Sequence, residues 1–201
     1  MSTTTRDTRV RSGRGRESPT PAGGILAEVG LARVAAVAAV VIVALALQST
    51  VLARLTLLGV IPQLVLVVVV SLAYTDGERV GVVVGFTAGL LQDLLLPPQS
   101  ILGLTALVYT FIGYSAGRLR EFGPPESVWT PVLSVAIASA VAEFGYALLS
   151  IIMGRPWVSL AYTAKVAGLV ILYDTLLTPF VFPLTRRIAD RFRPERVYRW
   201  E

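Results

Sequence analysis

Gly81 to Gly117 reads GVVVGFTAGLLQDLLLPPQSILGLTALVYTFIGYSAG, two apolar segments joined at Leu96-Pro97-Pro98. Val82, Val83, Val84, Phe86, Leu90, Leu91, Leu94 and Leu95 would cover every side of a helix. That pattern suits a lipid environment better than the one-sided core of a water-soluble helix. Set into it, four residues apart, are Gly81, Gly85 and Gly89, which let a neighbouring helix approach closely. The same close approach serves a partner helix or packing within one chain. Asp93 lies just inside the end of the segment. Pro98 then stops the helix, because it has no backbone N–H and restricts Pro97 before it. Past Gly103, the second span, Leu104 to Gly117, returns across the bilayer and stops at Arg118 and Arg120.

Composition extends this to the whole chain. Hydrophobic residues fill 54% of 201 positions, charged residues only 15%, and mean hydropathy is +0.69. A soluble domain carries about 25% charged residues, so the chain reads as an integral membrane protein. Cysteine and histidine are both absent. Their absence removes disulfides, thiolate metal sites, the Cys nucleophile, the commonest general base and the commonest metal ligand. No catalytic, metal-binding or cofactor-binding residue is assigned, and a non-enzyme is expected. The net charge of +5 is concentrated in the tails, where it bears on membrane orientation and anionic lipid before nucleic acid.

Six spans are expected in an all-α fold, in a membrane domain of residues 33–184 between a basic tail of residues 1–32 and another of residues 185–201. The first 24 residues, with Arg6, Arg9, Arg11, Arg14 and Arg16, are too polar to order themselves. The first span covers about Arg33 to Ala53. Leu55 to Ile61 skims the interface, and Pro62 suits the first position of a helix running to Tyr74. Thr75-Asp76-Gly77-Glu78 is a turn before the central hairpin. After a loop with Gly123-Pro124-Pro125, a fifth span runs from Val128 to Met153. Gly154-Arg155-Pro156 breaks it, and Trp157 and Tyr162 suit an interface belt. A sixth span runs from Thr163 to Phe182. With six spans, fifteen of the 18 basic residues fall on the side of the termini, leaving Arg54, Arg155 and Lys165 on the other. The asymmetry predicts that both termini are cytoplasmic.

Three acidic residues fall within spans: Asp93, Glu143 and Asp174. A charge at mid-membrane costs roughly 2.5–3.5 kcal/mol on insertion scales, so each needs a reason to be there. Asp93 is expected near the outer interface. Glu143 and Asp174 each lie about 15 Å inside their spans, where they would face one another, with Gln48 and Asp93 closing the same interior above them. No Lys or Arg shares their depth. They are therefore expected to be protonated or hydrogen-bonded to Tyr146, Tyr173, Thr175 or Thr178 rather than ion-paired. One reading is a polar pocket or proton-linked site. The other is a hydrogen-bond network that fixes helix packing, the ordinary glue of membrane helices.

The order of motifs resembles the rod-shape-determining membrane protein family MreD. Gly89, Leu90, Leu91, Asp93, Leu94 and Leu95 form a GLLxDLL helix end, followed by Pro98. Gly103, Leu104, Ala106 and Leu107 open the next helix, and Tyr114, Gly117, Arg118 and Leu119 close it. Leu172 to Pro179, followed by Phe182-Pro183-Leu184 and Arg186-Arg187, is similar to the family's last helix. Asp174 stands there where the family often has Asn, and Gln63 stands in place of the acid of a P-D-L motif. The resemblance implies a fold similar to the substrate-binding subunits of vitamin transporters. It also implies a place in the bacterial cytoplasmic membrane, as a non-catalytic part of the machinery that elongates the lateral wall. The implied partner is the bitopic protein MreC, with indirect links to an actin-like filament protein and to the wall synthases. The candidate partner-facing or cavity-lining residues are Gly81, Gly85, Gly89, Asp93, Gly103, Gly117, Glu143 and Asp174. The alternative is a vitamin-binding or other small-molecule-binding subunit of a transporter.

Overall fold

The computed structural model describes residues 30–54, 59–95, 102–121, 129–154 and 160–192, and among them every regular element is helical. The six helices are α1 (Leu31–Leu47), α2 (Leu64–Asp76), α3 (Glu78–Leu95), α4 (Leu104–Leu119), α5 (Trp129–Ile152) and α6 (Leu160–Arg191). A wider π-helical turn, Gln48–Leu52, extends α1. Among the described residues, three helical stretches are long and apolar enough to cross a membrane by length and composition: Leu31–Leu52, Trp129–Ile152 and Tyr162–Arg191. The arginines of the first 24 residues lie outside the described residues. So do Leu55–Leu58, Pro97, Pro98, the Gly123-Pro124-Pro125 loop, Arg155, Trp157 and Arg193, Arg196 and Arg199.

The fold is arranged around α2, LVLVVVVSLAYTD. A run of β-branched valines favours a strand in water. Inside an apolar bundle the backbone must satisfy its own hydrogen bonds, and only a helix does so within one segment. A helix apolar on all sides belongs at the centre of a bundle, and Val65, Leu66, Val67, Val69, Val70, Ser71 and Leu72 are fully buried there. The hydroxyls of Ser71 and Thr75 donate back to the carbonyls of Val67 and Ser71, at 2.6 and 2.7 Å. With 13 residues, α2 is only about 20 Å long, well short of a hydrocarbon core of about 30 Å. The other five helices pack around it, and α3 with α4, then α5 with α6, form the most intimate pairs.

Three expected boundaries move. Pro62 is not at the first helical position. The chain is not yet helical at Gln63 (φ −92°, ψ 67°) and α2 starts at Leu64. The Gln63 N–H, free of the helix ladder, is bonded by a side chain from α6. At the other end α2 continues past Tyr74 to Asp76, where Gly77 at φ 93° makes the turn into α3. The last helix also runs beyond Phe182, through Pro179 and Pro183, to Arg191. The two prolines remove N–H donors to the carbonyls four residues earlier, a loss that membrane helices tolerate.

The glycine row of α3 is spent inside the hairpin. A Cβ at Gly81 would strike the Gly113 carbonyl, and one at Gly113 would strike the Gly81 carbonyl. A Cβ at Gly85 would collide with the backbone of Tyr109, and one at Gly89 would lie 2.6 Å from the Ala106 Cα. Gly117 is equally close to the backbone at Gly77 and Glu78. The hairpin is therefore joined backbone to backbone along its whole length. Gly85→Ala should destabilise the detergent-solubilised protein by about 3 kcal/mol, the upper range for overpacking, since the obstacle is backbone. Gly145, whose nearest neighbours are Val108 methyls at 3.9 Å, should accept Ala with no loss in thermal unfolding temperature.

Candidate functional site: the polar interior around the start of α2

The first N–H groups of any helix have no partner within it. In α2 these donors lie inside the bundle, so side chains must accept from them. Asp174, on α6, accepts the backbone N–H of Gln63 at 2.8 Å through Oδ1. Gln48 accepts that of Val65 at 2.9 Å through Oε1. The π-helical turn that begins at Gln48, closed by Ala53 N–H to the Gln48 carbonyl at 3.0 Å, carries this side chain. A second acceptor oxygen of Asp174 takes the Ser139 hydroxyl of α5 at 2.7 Å. Asp174 is wholly buried and Ser139 likewise.

Gln63 joins this cap to Glu143. Its Nε2 donates to Glu143 Oε1 at 2.5 Å, and its Oε1 accepts from the Tyr109 hydroxyl at 3.3 Å. Glu143 and Asp174 are thus brought to the same place, as their depths predicted, but through Gln63. The carboxylate oxygens take Gln63 and Ser139 as partners, two residues outside the expected set. Thr178 donates to the backbone carbonyl of Asp174 at 2.7 Å, the Thr175 hydroxyl has no hydrogen-bond partner among the described residues, and Tyr146 lines the cavity beside Glu143. Among the described residues neither carboxylate forms an ion pair. The partial positive charge at the start of α2 supplies the compensation a lysine or arginine would otherwise give.

A polar cavity of about 260 Å³ opens beside the network, lined by Gln63, Gln92, Thr105, Tyr109, Glu143 and Tyr146 among others. Its walls come from α3, α4 and α5 and from the residue before α2. This set can offer both hydrogen-bond donors and acceptors, and it brings no cluster of three or more metal-ligating side chains among the described residues.

Asp93 does something different from closing this interior. Its Oδ2 accepts the backbone N–H groups of Gly103, Thr105 and Ala106 at 2.8, 3.1 and 3.4 Å. It is a helix cap supplied from the preceding helix, and it fixes where α4 begins. Gly103 itself adopts φ 92°, a conformation open to glycine at little cost, and has no side-chain cap of its own. Asp93 and Gly103 are therefore hairpin residues, while Glu143 and Asp174 belong to the α2 cap.

At the opposite end of α2 the basic residues are engaged as well. Arg33 of α1 pairs with Asp76. Arg118 lies 3.4 Å from Glu78 and 3.3 Å from Glu121, and Arg120 donates to the Thr75 carbonyl at 2.9 Å. Exposed pairs of this kind contribute little individually. The Arg33–Asp76 contact, with Asp76 inaccessible, ties α1 to the end of the central helix.

Sequence patterns do not single out Tyr109, Ser139, Gln92 or Gly113, and they mark Gln63 only as a departure from a family motif. The available signal was a polar side chain in an apolar run, most visible at Gln63, but its partners come from helices 46, 80 and 111 residues away in the chain. Asp174→Asn should keep an acceptor for Gln63 and change stability little, because the Ser139 hydroxyl can reverse its role. Asp174→Leu should leave the buried N–H unsatisfied and cost about 1–3 kcal/mol. Thermal unfolding of both variants in one detergent distinguishes them, and equal losses would contradict the cap.

The chain was also compared with known proteins. No curated protein and no solved structure matches it. The family described as rod shape-determining protein MreD matches residues 31–188, which include all six helices but for the last three residues of α6. The match covers most of the chain and takes in the glycine-joined hairpin, the Asp93 cap and the Asp174 cap. The chain belongs to the MreD family of rod-shape-determining membrane proteins.

Proposed function

We propose that the protein is a multi-pass, non-catalytic subunit of the complex that elongates the lateral wall of a rod-shaped or polar-growing bacterium. It resides in the cytoplasmic membrane, with six spans over residues 33–184 and both basic tails in the cytoplasm. It binds the transmembrane segment of a bitopic partner, MreC, and through it connects to the actin-like filament protein and the wall synthases. Family membership over residues 31–188 carries this proposal. The arginine distribution supports the orientation. So do the contacts that gather the start of α1, the α2–α3 turn and the end of α4 at one end of the bundle.

The partner surface follows from the hairpin. With Gly81, Gly85 and Gly89 packed against α4, they are not available to another chain, and the outward stripe of α4 takes their place in the proposal. Leu107, Phe111 and Tyr114 recur at helical spacing on that stripe and are exposed. Held by a backbone-to-backbone hairpin, they form a rigid apolar ridge suited to packing against one transmembrane helix.

The polar cavity is the one observation that favours the transporter-like alternative. At about 260 Å³ it lies below the roughly 300–1,000 Å³ of typical ligand pockets, and Gln63, Tyr109 and Glu143 of its lining are already bonded to one another, so a scaffold is the better-supported function.

Affinity purification of the tagged protein from native membranes tests the proposal. Near-stoichiometric MreC is expected, and combined Leu107→Ala and Phe111→Ala substitution should cut its recovery about tenfold at unchanged expression and unfolding temperature. Unchanged recovery would remove the α4 ridge. A bound small molecule with energising subunits, and no wall-synthesis protein, would favour the transporter alternative.

A further inference from the structure

The helices around α2 form a ring in which α3 packs on α4, α4 on α5, α5 on α6, and α6 on α1. Between α1 and α3 the ring is open, and an apolar groove of about 280 Å³ runs there. Val34, Val37 and Val41 form one wall, and Val80, Val83 and Leu91 form the other. Arg33 and Arg79 stand together at one end.

Groove length indicates what fits. From Arg33 to Ile42 is about 14 Å along α1, and from Arg79 to Leu91 about 18 Å along α3, at 1.5 Å per residue. Both are close to half of a hydrocarbon core of about 30 Å. A partner's transmembrane helix runs the full thickness, whereas an acyl chain occupies one leaflet. The charged mouth indicates the headgroup. Glu78 is engaged by Arg118 and Asp76 by Arg33, while Arg79 is exposed and forms no ion pair among the described residues. The Arg33 guanidinium carries five N–H donors, more than its contact with Asp76 uses. Basic pockets between membrane helices at the cytoplasmic side bind anionic lipid headgroups.

We propose that the α1–α3 groove is a binding site for an anionic phospholipid, with an acyl chain lying between the two helices and the phosphate held by Arg79 and Arg33. The lipid fills the gap in the ring and ties α1 to the hairpin. The site is separate from the α4 ridge and depends on the membrane location of the chain, not on MreC.

The full-length protein in mild detergent, titrated with phosphatidylglycerol or phosphatidylcholine, provides the test by native mass spectrometry and thermal unfolding. Phosphatidylglycerol should form a retained one-lipid complex and raise the unfolding temperature, and phosphatidylcholine should do neither. Arg79→Gln should weaken phosphatidylglycerol binding about fivefold and Arg79→Lys should largely restore it. Val83→Trp, which fills the groove from a lipid-facing position, should abolish the one-lipid complex while leaving the lipid-free protein folded. Equal binding of the two lipids, or indifference to both Arg79→Gln and Val83→Trp, would overturn the proposal. A photo-cross-linking residue at Val37 that captures a protein instead of lipid in native membranes would also overturn it, in favour of a helix in the groove.

Discussion

The structure depends on a helix that starts inside an apolar bundle. A helix of 13 residues is shorter than a hydrocarbon core of about 30 Å, so the donors at its first turn need acceptors far from water. Asp174 and Gln48 answer that need from two different parts of the chain, by accepting the N–H groups of Gln63 and Val65. The cap also accounts for an acidic residue in the middle of a long apolar helix. A carboxylate at the positive end of a helix is stabilised both by the N–H groups and by the macrodipole. Because α2 touches every other helix, fixing its start fixes the depth at which the rest pack.

The second constraint is the backbone contact within the α3–α4 hairpin. In a membrane there is no hydrophobic driving force between helices, and close approach with its van der Waals gain replaces it. Reciprocal glycines at 81 and 113, with Gly85 and Gly89 above them and Gly117 below, provide that approach. Asp93 adds a polar clamp at the far end by holding the start of α4. The result is a stiff two-helix unit whose outer side chains, including Phe86, Leu107 and Phe111, are left to lipid or to another protein.

Charge is distributed to match. Interior acids meet helix donors and amides, whereas basic residues gather at the end of the bundle where α1 begins and α2 ends. Arg33, Arg118 and Arg120 are bound to the α2–α3 turn and its surroundings, which makes them structural as well as topological. Arg79 alone of this group turns toward the α1–α3 groove without an ion-pair partner among the described residues.

Much was legible in the sequence by itself. Length and hydropathy determined a helical membrane protein, because a lipid-exposed backbone must satisfy its own hydrogen bonds. Glycines four apart at 81, 85 and 89 determined that some helix comes very close, and the order of the hairpin motifs pointed to the MreD family. Counting residues along α5 and α6 placed Glu143 and Asp174 at one depth. Which helix fills the glycine row, and what the acids hold, were decided only by tertiary structure. Gly81 meets Gly113, and Asp174 meets Gln63 from 111 residues earlier in the chain. Periodicity describes one helix at a time, whereas a cap or a close crossing is a property of two helices brought together.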